Sequence, residues 1–395
     1  MHAMAAMGVV YASSAAAVAQ EKAAETLTPL VVFPVAEETA PFRASDGRYH
    51  IAYELVLSNT IDAPEVLEGI AILDAADGSD ILSLSAEELI ADEAVRTLNR
   101  EPVTDLAIQP SQSRVILLTT SFASAEDVPS GLMHRFDFVG PSVFSPEETS
   151  FSIDGGAVSL AARPAPVISA PLQGVGWIAA EGCCHTSSHH RNGVFPINGG
   201  LFAGQRFAID FIQIDDEGRL AVGDYTDVNN WIGYDAPVLA ASDGTVVHTL
   251  DGLPDQKPGI QPDQAGVALD EIIGNHIMLD HGDGFFTVYG HLKPESVAVA
   301  PGDSVKAGDV IGRVGSTGGS LAPHLHFHVV DSRMESAANG YPFVFAQFDL
   351  SGGVDAADLL NVIQGEATFP ARASLTSEPR TNELPLSYAI VDFPE

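Results

Sequence analysis

Cysteine is nearly absent from these 395 residues, and the two present, Cys183 and Cys184, are adjacent, so no disulfide framework staples the fold. Neighbouring thiols reach disulfide geometry only through a strained ring, which leaves two loop thiols, a vicinal bridge or a soft metal contact as readings. Positive charge is scarce as well: 18 Lys and Arg stand against 53 Asp and Glu, a net charge of −35. The field around such a chain repels phosphate backbones and anionic lipid, so nucleic acid is excluded as a partner class. The excess acid suits solubility in a salty or external medium, with attraction of a cationic substrate region as the alternative use. Beyond the first 19 residues no apolar run approaches the ~18 residues of a membrane helix, so no membrane span is expected. With 46% hydrophobic and 18% charged residues, the chain has the composition of a folded protein.

What is there begins with MHAMAAMGVVYASSAAAVA, residues 1–19, apolar and small, closing on Ala17-Val18-Ala19 in the manner of a secretory signal peptide. It lacks Lys or Arg ahead of the apolar run, but it predicts export to the periplasm, the cell envelope or the medium. A spacer at 20–29 follows. Residues 30–165 read as short apolar runs between turn clusters: YHIAYELVL (49–57), GIAIL (69–73), RVILLT (114–119), HRFDFV (134–139) and 151–160 alternate as strands do. This pattern predicts a β-sandwich-like domain, with an immunoglobulin-like arrangement as one form of it. Within it Ser85 and Glu88 have the spacing of a capping box and open a short helix in 85–99. Residues 166–176, rich in Pro, Ala and Gly, read as a linker. From 177 to 350 a second, antiparallel β domain is expected, its Asp-Gly pairs at 243–244, 251–252 and 283–284 marking tight turns. Residues 351–395 read as a C-terminal extension with one helical stretch (355–362) and no chemistry assigned. The fold class expected is mainly β.

The chemistry concentrates in histidines. YGHL (289–292) carries His291, and PHLHFHV (323–329) carries His324, His326 and His328. In a strand, residues two apart share a face, so the last three project together while Leu325 and Phe327 anchor the other side. Asp210, in QRFAIDF (205–211), ends another apolar strand. Imidazole and carboxylate are ordinary zinc ligands, and a catalytic zinc keeps three protein ligands and one open position.

The stretch 274–329, GNHIMLDHGDGFFTVYGHLKPESVAVAPGDSVKAGDVIGRVGSTGGSLAPHLHFHV, resembles the core of the lysostaphin/LytM-type zinc metallopeptidases, and YDAPVLAASDGTVV (234–247) resembles the strand pair that precedes it. The resemblance implies a zinc-dependent endopeptidase acting on peptide bonds of bacterial cell-wall peptidoglycan. It implies Zn2+ held by Asp210 and His326, with His291 and His324 orienting water and stabilising the oxyanion. One position departs. Four residues before Asp210, where the family has a zinc histidine, stands Arg206, which stays protonated and offers no lone pair.

Three readings follow. Another histidine, His189 or His190 in TSSHHRNGVF or His328 on the strand, completes the ligand set. Alternatively Arg206 pairs with Asp210 in place of metal, giving a catalytically degenerate module that binds wall peptides or activates a partner hydrolase. In the third, two ligands hold metal weakly until substrate completes the site.

Overall fold

The computed structural model describes residues 25–161, 163–372 and 376–394. The expected signal segment, and the first half of the spacer after it, lie outside those residues. Strand accounts for 44% and helix for 7%, so sheets carry the packing. No helix among the described residues is long and apolar enough to cross a membrane.

In the N-terminal half two sheets, of five and six strands, enclose one apolar core. The central strand β1 (Tyr49–Asn59) lies between Leu30–Pro34 and Ser113–Phe122, both antiparallel to it. Its alternation sends Ile51, Tyr53, Leu55 and Leu57 into that core beside Ile70, Ile72, Phe136 and Phe138 of the facing sheet. The capping box at Ser85 and Glu88 forms, but the helix is only Ala86–Ala91. It stops because Val95 and Arg96 pair as a strand with Ile116 and Val115, which buries Val95 in the core.

The opposite face of β1 is also buried, because the rest of the chain packs there. Ala52 joins a core formed mostly by the C-terminal half, and Phe42 meets Phe207 edge-on with ring centroids 5.3 Å apart. Between them Glu54, fully buried, receives two arginines of the C-terminal half. Arg206 donates to both carboxylate oxygens at 2.6–3.0 Å and to the Gly340 carbonyl at 3.2 Å. Arg191 donates to Glu54 and to the carbonyls of Tyr53 and Leu118, each at 2.8 Å.

In the C-terminal half a ten-stranded antiparallel sheet holds β2 (Gly174–Ala180), β3 (Ile209–Gln213), β4 (Asn275–Asp280), β5 (Phe286–Leu292), β6 (Leu325–Val330), β7 (Phe348–Gly353) and β8 (Ala389–Phe393). The spatial order from β4 is β4-β5-β6-β3-β2-β8-β7. Two features differ from the sequence expectation. The stretch 166–176 is not a bare linker, since Val167–Ile168 pairs with Val344–Phe345 and β2 begins at Gly174. The segment set apart as an extension also supplies β8, paired with β2 and β7, so it completes the sheet. Short apolar runs such as AIVDF reveal their partners only in three dimensions. Cys183 and Cys184 form a vicinal disulfide rather than two free thiols.

Two stability predictions follow. Glu54→Gln leaves two buried guanidinium groups without their counter-charge, and urea unfolding should show a loss of about 3–5 kcal/mol. His134, fully buried, bonds Tyr53 at 2.7 Å and the Gly156 carbonyl at 2.8 Å. Burial pushes its imidazole from 6.5 down to about 4 against the raising effect of the Gly156 and Gly155 carbonyls. A depressed basic pKa means that the fold takes up the proton less readily than the unfolded chain. The stability tied to His134 is therefore complete above pH 6.5 and is lost as pH falls towards 4. The difference between wild type and His134→Gln across that window should amount to about 3 kcal/mol.

Candidate metal centre and active site

Strand register assembles the centre. Asp210 on β3 lies directly opposite His326 on β6, and on the far side of β6 the partner of His326 is Gly290 of β5. The apolar neighbours Leu325 and Phe327 point into the core, where Phe327 meets Tyr289 and Phe343 at 5.2 and 5.3 Å between centroids. Their burial fixes which face the histidines occupy.

His291 follows Gly290, so plain alternation would aim it at the other face. Its backbone is instead left-handed, with φ 57°, and its N–H donates to the Ile273 carbonyl at 2.8 Å. This turn brings the His291 ring to 4.6 Å from His324 and 5.7 Å from His326, measured between centroids. Gly290 permits the close pass: a Cβ there would meet Ile273 Cγ1 at 2.6 Å. A non-glycine residue in this conformation costs energy that only the surrounding structure holds in place.

Three imidazole nitrogens converge on one carboxylate oxygen. Asp210 Oδ1 lies 2.8 Å from His326 Nδ1, 3.3 Å from His324 Nε2 and 3.5 Å from His190 Nε2. His189, whose side chain is 61% exposed, places Nε2 at 3.8 Å from Oδ2 and Nδ1 at 3.2 Å from Glu181. Ligand atoms of His189, His190 and Asp210 all lie within 4.8 Å of one another. His328 does not face Asp210. It stands behind His326, its Nδ1 2.9 Å from His326 Nε2 and its own Nε2 3.9 Å from Glu335.

Backbone carbonyls set the tautomers. Nδ1 of His190 faces the carbonyls of Glu181 (3.0 Å) and Ala208 (3.1 Å), Nδ1 of His291 faces that of Thr317 (2.7 Å), and Nδ1 of His324 faces that of Ala322 (2.7 Å). A carbonyl only accepts, so each Nδ1 carries the proton, and in the neutral ring each Nε2 presents a lone pair. Burial and the neighbouring His189 hold His190 well below the ordinary histidine range, so it stays neutral. Burial and the rings of His324 and His326 do the same to His291. At His324 burial works downward, but the Asp210 carboxylate outweighs it and the pKa rises. Burial alone would raise Asp210, yet the imidazoles of His190 and His324 and the contact with His326 keep its carboxyl well below the usual range.

A neutral His190 therefore aims a lone pair at an ionised carboxylate. Two acceptors at 3.5 Å repel unless a cation lies between them. The buried Nε2 of His324 likewise has no hydrogen bond of good geometry. The donor set of imidazole nitrogens and carboxylate oxygen fits a divalent transition metal.

The Arg206–Asp210 pair weighed from the sequence does not form. Glu54 holds the guanidinium instead, and no ion pair links Arg206 to Asp210. Several supporting residues had no sequence signal of their own. Glu181 takes the His189 backbone N–H at 3.0 Å and gives its carbonyl to His190 and to Ser188 Oγ (2.7 Å). Tyr388, from the segment to which no chemistry was assigned, donates to Glu181 at 2.7 Å. Arg191 follows His190 directly and is locked to β1. Its Arg after a His pair was visible in the sequence; its partner Glu54, 137 residues away, was not.

The centre opens into a groove of about 230 Å³, lined by His189, His190, His291 and His326 and walled by Phe195, Leu269 and Ile272.

Residues 228–339 match the model of Peptidase family M23. That span holds His291, His324, His326 and His328, while His190 and Asp210 precede it. The DD-carboxypeptidase/endopeptidase Mpg of Neisseria meningitidis is 44% identical over 69 residues, 18% of this chain and 14% of Mpg. Lysostaphin of Staphylococcus simulans is 46% identical over 84 residues, 20% of this chain and 17% of lysostaphin. The cell division protein DipM of Caulobacter vibrioides is 31% identical over 93 residues, 24% and 12% of the two chains. The match thus spans less than a fifth of each of these curated relatives. Among solved structures, the lysostaphin catalytic domain from Staphylococcus simulans aligns with 37% of this chain and 80% of its own, at 30% identity and a TM-score of 0.22.

The tautomers are open to measurement. Long-range nitrogen–proton NMR spectra of the metal-free protein at pH 8 should show Nδ1-protonated rings at His190 and His291. An Nε2-protonated His190 would remove the lone pair on which the metal fit rests.

Proposed function

We propose that this chain, which carries a peptidase family M23 domain at residues 228–339, is a zinc-dependent metalloendopeptidase that hydrolyses peptide bonds of bacterial cell-wall peptidoglycan. The observation that carries the reading is the neutral, tautomer-fixed His190 beside Asp210 and His326. It takes the place in the ligand set that Arg206 leaves vacant. The His190 and His326 nitrogens and the Asp210 oxygen, beside the groove, would hold the metal and match the donor set of a catalytic zinc. Zinc bound there supplies Lewis-acid polarisation of the scissile carbonyl and lowers the pKa of water.

The chain's own residues do the rest. His328 and the Glu181 carbonyl orient His326 and His190 and keep their ligand atoms turned to the centre. His291 and His324 present Nε2 at its edge, where a bare nitrogen takes a proton from water and returns it to the leaving amine. Once protonated, either ring donates a hydrogen bond to the oxyanion. The apolar walls at Phe195, Leu269 and Ile272 exclude water from the bond being cut and seat the peptide in extended form. The substrate class follows the resemblance of 274–329 to the lysostaphin/LytM-type peptidases, and a site of action in the envelope or outside the cell follows the signal-like segment at 1–19.

The degenerate-module reading, with Arg206 in place of the first zinc histidine, stays as the alternative; its version in which Arg206 pairs with Asp210 has no support, because Glu54 holds the guanidinium. Purified protein should hold one zinc per chain, and wall lysis should stop with a chelator and return with zinc. His190→Ala should lose zinc to a chelator that wild type resists. His324→Ala should retain zinc while kcat falls by about 10²–10⁴-fold. Arg206→His should lose stability without gaining metal. No zinc in wild type after incubation with excess metal, or activity appearing only in Arg206→His, overturns the proposal.

A further inference from the structure

Basic residues are few here, and most have acidic partners: Arg43 with Glu383, Arg96 with Glu93, Arg135 with Asp154, Arg219 with Asp215, Lys293 with Asp235, Lys306 with Asp243. Arg100 is different. It comes from the N-terminal half yet lines the same groove as His189, His190 and His291, where it is the one Lys or Arg among the lining residues. Its guanidinium lies over the Phe195 ring, 4.4 Å from the centroid, and makes no hydrogen bond or ion pair with any described residue.

The turn that carries it is braced. Arg100 has a left-handed backbone, φ 74°, its N–H donating to the Thr97 carbonyl at 2.9 Å. Its own carbonyl accepts from Arg96 Nη1 at 3.0 Å. Arg96 is buried and its Nη2 reaches the Thr186 carbonyl at 3.0 Å, on the loop that leads to His189 and His190. Asp92 accepts from Thr186 Oγ1 through its carbonyl, a second tie to the same loop. A side chain held this way pays little ordering entropy on binding.

A guanidinium stacked on an aromatic ring keeps its in-plane N–H donors free, and their fork matches a carboxylate. In a chain of net charge −35 the long-range field works against an anion, so a site that takes one needs a placed cation. The groove's carboxylate, Glu335, accepts from Ser336 Oγ at 2.6 Å and is no partner of Arg100. Resting on the peptidase reading above, we infer that Arg100 is a specificity-determining residue that binds a free carboxylate of the peptide being cut. The N-terminal half thereby contributes directly to substrate choice.

The experiment uses the full zinc-loaded chain and a stem-type peptide bearing one internal acidic residue and a free C-terminus. Three derivatives go with it: one with the internal carboxyl amidated, one with the C-terminus amidated, and one with both. A charge-assisted pair predicts that amidating the recognised carboxyl lowers kcat/KM by about 10- to 100-fold. The derivative that suffers identifies which carboxylate is read. In Arg100→Met that ratio should fall towards one, and Arg100→Lys, which keeps charge without the fork, should retain part of it. An unchanged ratio in Arg100→Met, including equal slowing on all four peptides, overturns the proposal. Should wild type cleave none of the four, the hydrolytic reading fails by itself and the subsite is read from calorimetric binding of the same peptides. A carboxylate preference lost in Arg100→Met then supports it, and equal affinities refute it.

Discussion

One carboxylate shared by two buried guanidinium groups holds the two halves of the chain in a single structure. Glu54 sits mid-strand in the N-terminal half, and Arg191 and Arg206 reach it from either side of the hairpin Phe195–Phe202. Burial and the nearby Arg206 bring Arg191 down to about 9, and burial brings Arg206 to about 10, so both remain charged at neutral pH. Two cations and one anion in a dry interface are stable only with the geometry complete. Arg191 adjoins His190 and Arg206 lies four residues before Asp210, so the same contact fixes the approach of both groups to the centre.

The centre obeys a second electrostatic rule. Backbone carbonyls of Glu181, Ala208, Thr317 and Ala322 claim the Nδ1 protons of three histidines and turn their lone pairs inward. Asp210, fixed opposite His326 by strand register, supplies negative charge at the point of convergence. Neither element suffices alone: lone pairs without the carboxylate would hold a cation weakly, and the carboxylate without the lone pairs would settle for a proton.

The legible part of this arrangement was the part encoded by short-range periodicity. His324, His326 and His328 share a face because a strand has period two, and Leu325 and Phe327 announced which face was buried. The Ser85–Glu88 box was legible for the same reason, as both partners lie within one turn. His190 was visible only as one of several candidates, because its role depends on carbonyls 9 and 18 residues away. The meaning of Arg206 was misleading in isolation. Read against Asp210 it suggested a blocked site, whereas its true partner lies 152 residues upstream. The strand Ala389–Phe393 and the role of Tyr388 were illegible, since a five-residue apolar run carries no sign of what it pairs with.

The position of that strand has a bearing on timing. Ala389–Phe393 lies against Gly174–Ala180, and Tyr388 grips Glu181 across 207 residues of chain. A ribosome releases every groove residue before it reaches these, so the sheet beside the centre stays open-edged throughout synthesis. The centre beside that sheet matures late, gaining its finished geometry only once synthesis has passed Leu325–Val330 and gone on to Ala389–Phe393.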